Sequence, residues 1–450
     1  MRGAFFSADF VCNLWPFNVS LFSMQTSFNK GGTILVHYNL ARGVNLDVIP
    51  TKQFKANQIL INFTTPQTHT NATARNLVAN VLETSSKKYP TQTALARRLA
   101  QQYGTYISMG VGRVGLLHTV RLKAGFINDQ LAHTNLFDQV VALIREILFN
   151  PLAFDGAFDQ ATFARQAHNL SATINSYYDD KQFWAARRLL DLYYADDSVM
   201  QTPSFGKASE IAELTAQNLY PVYQSMIEDD RVDILVIGDL DEEEVVRAIQ
   251  QLPFNDRQID LGQIIYGQHP YRQIQRQVEY QQLSQAKLNL GYQLPIHYGH
   301  ALYYAGLVFN GLFGGSPYSK LFTNVREKAS LAYYASSRLM PFNGLLTVQT
   351  GIKSSDARRV DALINAQLKE VQEDNYSDQR LNEVKAGLIN QYRSGNDLAG
   401  NLLERQLVRN LLGAQQADIP AAFNAVTREE IQQVAQSLKQ QAVYLLSGEN

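Results

Sequence analysis

The 450-residue chain has a single cysteine, Cys12, so it can form neither an internal disulfide nor a cysteine-based metal site. That sparing use fits a reducing, cytoplasmic setting. Charge of one sign is also missing. With 40 basic and 41 acidic residues the net charge is −1, which offers no basic surface to nucleic acid or an anionic membrane. No apolar run is long enough to span a bilayer. Glycine-rich phosphate loops, dinucleotide fingerprints and nucleophile elbows are absent, because the glycine pairs at 31–32 and 314–315 lack the rest of either motif. None of the eight histidines forms an H-x-x-E-H motif, and the pair His297 and His300, with no nearby acid in position, reads as loop or surface.

What remains is an ordinary globular composition, 45% hydrophobic and 18% charged, long enough for two or more domains. The aromatic-rich start is broken by Asp9, Asn13 and Pro16, which makes a poor signal peptide. Residues 1–23 read as an upstream extension from a misassigned start, and the extension is expected to be poorly ordered to residue 28.

One stretch organises the rest: residues 314–339, GGSPYSKLFTNVREKASLAYYASSRL. The glycine pair allows a tight turn, and Ser316 or Ser319 suits a helix N-cap. Leu321, Phe322 and Val325 fall at helical spacing, so 319–328 predicts a short amphipathic helix. Residues 331–339 predict a strand. Arg326 near the helix end and Tyr333 at the strand start then flank one bend. A guanidinium and a phenol so placed suit a peptide carbonyl on which negative charge grows. The plain alternative pairs Arg326 with Glu327 or a nearby acid and packs Tyr333 with its hydroxyl hydrogen-bonded.

This stretch resembles the C-terminal half of the pitrilysin/insulinase-type metallopeptidases, the inverzincins. The resemblance implies that Arg326 and Tyr333 bind substrate and assist catalysis. It also implies a zinc site in the first helix, where an H-x-x-E-H motif supplies two ligands and the base, and a downstream Glu completes the set. Lys88, Tyr89, Pro90 and Thr91 fix the register, which puts Asn76 and Asn80 at the histidine positions and Ala79 at the glutamate. Asparagine is a poor zinc ligand, and alanine can neither carry a proton nor hold a water. No glutamate occurs between Glu146 and Glu210, and 163–174 stands where the glutamate-bearing segment belongs. The expectation is therefore no metal and no cofactor.

In chain order, strands are predicted at 44–49 and 58–63, helices at 71–83 and 91–103, strands at 106–111 and 115–122, and a helix at 136–149. Helical stretches follow at 158–194 and 209–227, with Asp179–Asp180 marking a helix break or a solvated face. A buried strand at 232–237 precedes a helix at 241–251. The pattern weakens over 252–280, which reads as an inter-domain linker. Beyond it lie a strand at 287–293, a helix at 303–313, the 314–339 stretch, a strand at 345–352, three helices and a last strand at 443–446. The periodicity gives two α+β domains, each a mainly antiparallel sheet with helices on one face. The resemblance adds that the two are alike and form a clam-like chamber, divided as 1–28, 29–255 and 256–450.

Two functional readings follow. In the first, the chain is the catalytically incomplete subunit of a heterodimeric zinc metallopeptidase, giving Arg326 and Tyr333 in trans to a zinc-bearing partner of the same family and its peptide substrate. In the second it is a non-enzymatic scaffold or peptide-binding protein on the same fold. Exposure of Arg326 and Tyr333 favours the first, and burial in an internal ion pair the second.

Overall fold

The computed structural model describes residues 24–28, 34–414 and 417–448; the expectation for residues 1–23 lies outside them. Seven strands build the first sheet: β1 (Met24–Phe28), β2 (Ile34–Ala41), β3 (Val44–Pro50), β4 (Ala56–Pro66), β5 (Tyr106–Val114), β6 (Leu117–Ile127) and, after the small pair β7 (Ala153–Phe154) and β8 (Ala157–Phe158), β9 (Arg231–Gly238). The second sheet has five: β10 (Gln275–Gln281), β11 (Ala286–Gln293), β12 (Ala332–Met340), β13 (Leu345–Ile352) and β14 (Lys439–Gly448). β1 was not expected. It pairs with β2 in antiparallel register, so the last five residues of the expected extension form a strand at the sheet edge.

The two halves repeat one topology. The first sheet runs β1-β2-β3-β9-β4-β6-β5 and the second β10-β14-β11-β13-β12. Taking β3, β4, β5, β6 and β9 as a set, both sheets place the first strand beside the last, then the second, fourth and third. In each, the first and last strands are the parallel pair, with Val44 opposite Val232 and Gln275 opposite Ala442. The other ladders are antiparallel.

Each sheet has apolar residues on both faces. Ile59, Ile61, Ile234 and Val236 point into the first half's main core, with Leu77, Val78, Val81 and Leu82 of helix Asn71–Thr84. The alternate positions Leu60, Leu235 and Ile237 point the other way, onto Leu403, Leu407 and Leu411 of helix Ala399–Leu412, which belongs to the second half. The reverse crossing also occurs: Ala185, Leu189 and Tyr193 of helix Lys181–Tyr193 cover Ala442, Tyr444 and Leu446 on the second sheet. Each half thus carries its own helices on one face of its sheet and lends one helix to the other half. Leu117 and His118, adjacent in β6, are accordingly both fully buried, because both faces of the sheet are covered.

Carboxylates fasten both crossings. Glu404 accepts from Arg121 (2.7 Å) and Lys123 (2.9 Å), while Glu279 accepts from Trp184 (3.1 Å) and Tyr444 (2.5 Å). The segment between the halves is tied to both as well. Leu116 N–H donates to the Ile264 carbonyl (2.8 Å) and Tyr266 N–H to the Phe342 carbonyl (2.9 Å).

Several helices differ from expectation. The stretch 158–194 is two helices, Gln160–Tyr177 and Lys181–Tyr193, with the Asp180 carboxylate capping Gln182 and Phe183 N–H. Between β13 and β14 five α-helices, not three, occur among the described residues: Ala357–Gln372, Asp378–Gly395, Ala399–Leu412, Ile419–Ala425 and Arg428–Ser437.

Leu407 is fully buried in the crossing interface. Leu407→Ala is expected to cost about 2–5 kcal/mol, the range for a leucine deleted from a packed core. Denaturant unfolding checks this, and a loss below about 1 kcal/mol would show that the crossing helix is not tightly packed.

Candidate functional site

Helix Asn71–Thr84 carries the positions at which the resemblance places a metal site. Asn76 and Asn80 lie one turn apart and bond to each other. The Asn80 amide donates to the Asn76 backbone carbonyl (2.8 Å) and to its side-chain oxygen (3.1 Å). The Asn76 amide donates in turn to the Phe205 carbonyl (3.0 Å). Ala79 is fully buried in the first core. These residues do not fit a zinc ion: the Asn76 oxygen is already an acceptor, carboxamides are weak ligands, and no base is present. Among the described residues no group of three or more His, Cys, Asp or Glu is placed to hold a metal.

The Phe205 carbonyl belongs to a strap, residues 203–207, pinned across this helix. Lys207 N–H donates to the Thr73 hydroxyl (3.0 Å), and Gly206 has φ 80°. A Cβ on Gly206 would fall 2.2 Å from the Thr73 hydroxyl, so only glycine lets the strap lie this close. Beneath it is a buried polar network absent from the sequence-based expectations. Arg75 pairs with Asp230 at 2.6 Å, and its Nε donates to His118 Nδ1 (3.0 Å). His118 must then be the neutral Nε2–H tautomer, donating to the Ser204 carbonyl (2.8 Å). Burial, and then the adjacent Arg75 charge, push the His118 pKa down to about 3. The signal available in the sequence was a histidine and an arginine inside otherwise apolar segments.

The second half places helix Tyr303–Asn310 and residues 314–331 where the first half has its own two helices, between the second and third strands of the repeat, and 332–339 belong to that third strand, β12. The expected α-helix at 319–328 is wound more loosely. Residues Gly311–Gly315 and Leu321–Lys328 are π-helical, and Ala329 N–H reaches back five residues to the Asn324 carbonyl (3.2 Å). Such windings are rare and cluster at functional sites. Ser319 caps the segment through Phe322 N–H (3.3 Å), as its residue type suggested. The glycine pair has a different role from the turn expected of it. A Cβ on Gly314 would lie 2.6 Å from the Ser337 nitrogen of β12, and one on Gly315 2.3 Å from the Asn310 amide. Gly314 thus lets the backbone pack closely on β12, and Gly315 lets it pack on Asn310 at the end of the preceding helix.

Arg326 and Tyr333 emerge from this element into solvent. Arg326 is exposed and forms no ion pair among the described residues; its guanidinium lies 4.6 Å from the centre of the Phe322 ring. Tyr333 is 63% exposed, and its hydroxyl has no hydrogen-bond partner among the described residues. A β-bulge sets its direction. Ala332 pairs with Ile352 and Tyr334 with Gly351, so Tyr333 is the extra residue of an edge strand. Ser330, at the bend between Arg326 and Tyr333, is held at φ 52°, a conformation unfavourable for serine. Tyr334 turns inward, where burial raises its hydroxyl to about 12 and the Lys287 ammonium lies 5.4 Å from the ring centre. His297 and His300 lie outside helices and strands, with ring centres 5.4 Å apart.

With this geometry in hand, known proteins sharpen the picture. The family described as "Peptidase M16 inactive domain" matches residues 213–388. A Bacillus subtilis (strain 168) protein described as "Probable inactive metalloprotease YmfF" is 32% identical over 415 residues, covering 90% of this chain and 96% of that protein. The chain belongs to the M16 peptidase family. The pitrilysin/insulinase-type resemblance drawn from residues 314–339 therefore holds. A conserved protein from Enterococcus faecalis V583, known as a crystal structure, is 39% identical at a TM-score of 0.88, covering 92% of this chain and 99% of that one. The M16 fold extends to a peptidase M16 inactive domain from Pseudomonas fluorescens, at 15% identity and a TM-score of 0.72 over 95% of this chain and 98% of that one. No helix of this M16 chain, among the described residues, is long and apolar enough to cross a membrane.

The buried His118 gives a pH test. Its folded pKa is depressed below the usual 6.5, so the unfolded chain binds the extra proton and stability falls as pH drops below 6.5. His37, raised by its hydrogen bond to Asp47, works in the opposite sense and is common to both proteins compared. His118→Gln keeps a neutral acceptor and donor, so between about pH 6.5 and 5 its melting temperature is expected to fall less than that of the native chain. Parallel melting curves would contradict a buried neutral histidine.

Proposed function

We propose that this chain is the catalytically incomplete subunit of a two-chain M16 metallopeptidase, one that supplies Arg326 and Tyr333 to peptide bound at a zinc-bearing partner. The observation that carries the reading is a contrast within one molecule. The metal-site positions are closed by the Asn76–Asn80–Phe205 hydrogen bonds and the buried Ala79. Arg326 and Tyr333 stay exposed and, among the described residues, without polar partners on an element of π-helical winding and a bulge. A scaffold would have no use for that strain, and the internal ion pair expected of an idle arginine does not occur among the described residues. The Bacillus subtilis relative, described as a "Probable inactive metalloprotease", accords with the first half of the contrast.

In this role Tyr333 donates its hydroxyl proton to the scissile carbonyl oxygen as negative charge builds there. Arg326 holds a backbone carbonyl or the C-terminal side of the peptide through its planar fork, with the Phe322 ring limiting the guanidinium's freedom.

Tyr333→Phe removes only the hydroxyl. In the mixed dimer it is expected to lower turnover about a hundredfold to a thousandfold, as loss of one oxyanion donor does elsewhere, with assembly and zinc content unchanged. Arg326→Lys is expected to fail as well, because an ammonium cannot reproduce the fork. Full peptidase activity from both variants, measured on a quenched fluorescent peptide with the partner present, would exclude the trans-acting role and leave the scaffold reading.

A further inference from the structure

The π-helical segment that presents Arg326 has a second side. Between it and helix Ala357–Gln372 lies an open cleft of about 550 Å³. Its floor is small and apolar: Ala329 and Leu331 on one wall, Ala362, Leu363 and Ala366 on the other. Arg359, Ala362, Leu363 and Ala366 follow a spacing of three, four and seven residues, so they form one face of the helix. Ala362 and Ala366 are exposed there, with no other described part of the chain packed over them.

Charge is the second observation. Lys328 and Arg359 line the cleft from opposite walls, both exposed. Neither has an ion pair or hydrogen bond through its side chain among the described residues. The acids of the same helix are already held by others, Asp361 by Arg276 (3.3 Å) and Glu370 by Lys320 (3.6 Å). Glu327, next in sequence to Lys328, is not part of the lining. The cleft is therefore a short apolar trough with an unneutralised cation on each wall, in a chain whose net charge is −1.

We propose that this cleft is a docking site for an acidic amphipathic segment of another polypeptide. Carboxylates would meet Lys328 and Arg359, and small or leucine-sized side chains would fill the space over Ala362 and Ala366, where the missing bulk lets a backbone approach closely. The occupant is a polypeptide rather than a fatty acid because the trough is open along the helix and charged on both walls. An acyl carboxylate would satisfy one cation and leave its chain in water. The site is separate from Arg326 and Tyr333 and does not depend on the role proposed for them.

Fluorescence anisotropy of the full chain tests this, using a labelled peptide of repeated Glu-Glu-Leu-Ala units and its Lys-Lys-Leu-Ala counterpart. The acidic peptide is expected to bind, with affinity falling as salt rises, and the basic one not. Arg359→Glu and Lys328→Glu are each expected to weaken binding about tenfold or more, since reversal turns attraction into repulsion. Ala362→Glu, which adds bulk and like charge to the floor, is expected to do the same. All three positions are exposed, so unchanged melting temperatures are expected to confirm folding. Absence of binding by the native chain, equal binding of the basic peptide, full affinity in the three variants, or displacement by dodecanoate at lower concentration than by unlabelled acidic peptide would each overturn the proposal.

Discussion

A sheet that is apolar on both faces must be covered twice, and neither half of this chain covers its own sheet alone. That constraint shapes the molecule. Runs such as VDILVI in β9 put Ile234 and Val236 into one core and Leu235 and Ile237 into another, and the second is closed only by helix Ala399–Leu412 from far along the chain. Helix Lys181–Tyr193 returns the favour on the second sheet. Burying a leucine side chain fully contributes about 1.5–3 kcal/mol, whereas an exposed ion pair contributes about 1 kcal/mol or less. Hydrophobic exchange therefore holds the halves together, and the contacts to Glu404 and Glu279 fix its register.

Because the halves are exchanged rather than merely adjacent, elements on the second sheet have a rigid support. That support matters for residues 314–339. Gly314 lets the backbone press onto β12 and Gly315 onto Asn310, Ser330 is held at a positive φ, and a bulge turns Tyr333 outward. Each departure costs free energy, on the order of 1–3 kcal/mol for a strained backbone residue, and persists only where surrounding packing imposes it. The first half shows the opposite tendency. There the positions that the resemblance assigns to a metal site lie within the packing: a carboxamide pair, a buried alanine and a strap fixed by Gly206 and His118. One half thus holds Arg326 and Tyr333 outward, and the other holds Asn76 and Ala79 buried.

Much of this was legible locally. Helix Leu136–Phe149 and strand β13 fall where the sequence put them, because a strong apolar period or a β-rich run is bounded by clear breaks. The positions of Asn76, Ala79 and Asn80 on one helix, and of Arg326 and Tyr333 on either side of a bend, were also readable. What was hidden depends on contacts distant in sequence. Nothing within residues 399–412 says that its leucines face another half's sheet, and nothing within 203–207 says that it straps the first helix. The winding at Leu321–Lys328 is not legible in the sequence because Leu321, Phe322 and Val325 suit an α-helical and a π-helical spacing alike. The glycine pair suggests a turn in sequence because the strand that Gly314 touches, at Ser337, is more than twenty residues away.

The central claim is that this M16 chain has no metal site of its own and completes one elsewhere. Purification of the chain at its native expression level, with mass spectrometry of whatever accompanies it and metal analysis of the product, tests this most directly. The account predicts a stoichiometric companion of the same family bearing an intact H-x-x-E-H helix, with zinc assigned to that companion and none bound when this chain is isolated. A chain that purifies without such a companion, or that holds one tightly bound zinc by itself, would contradict it.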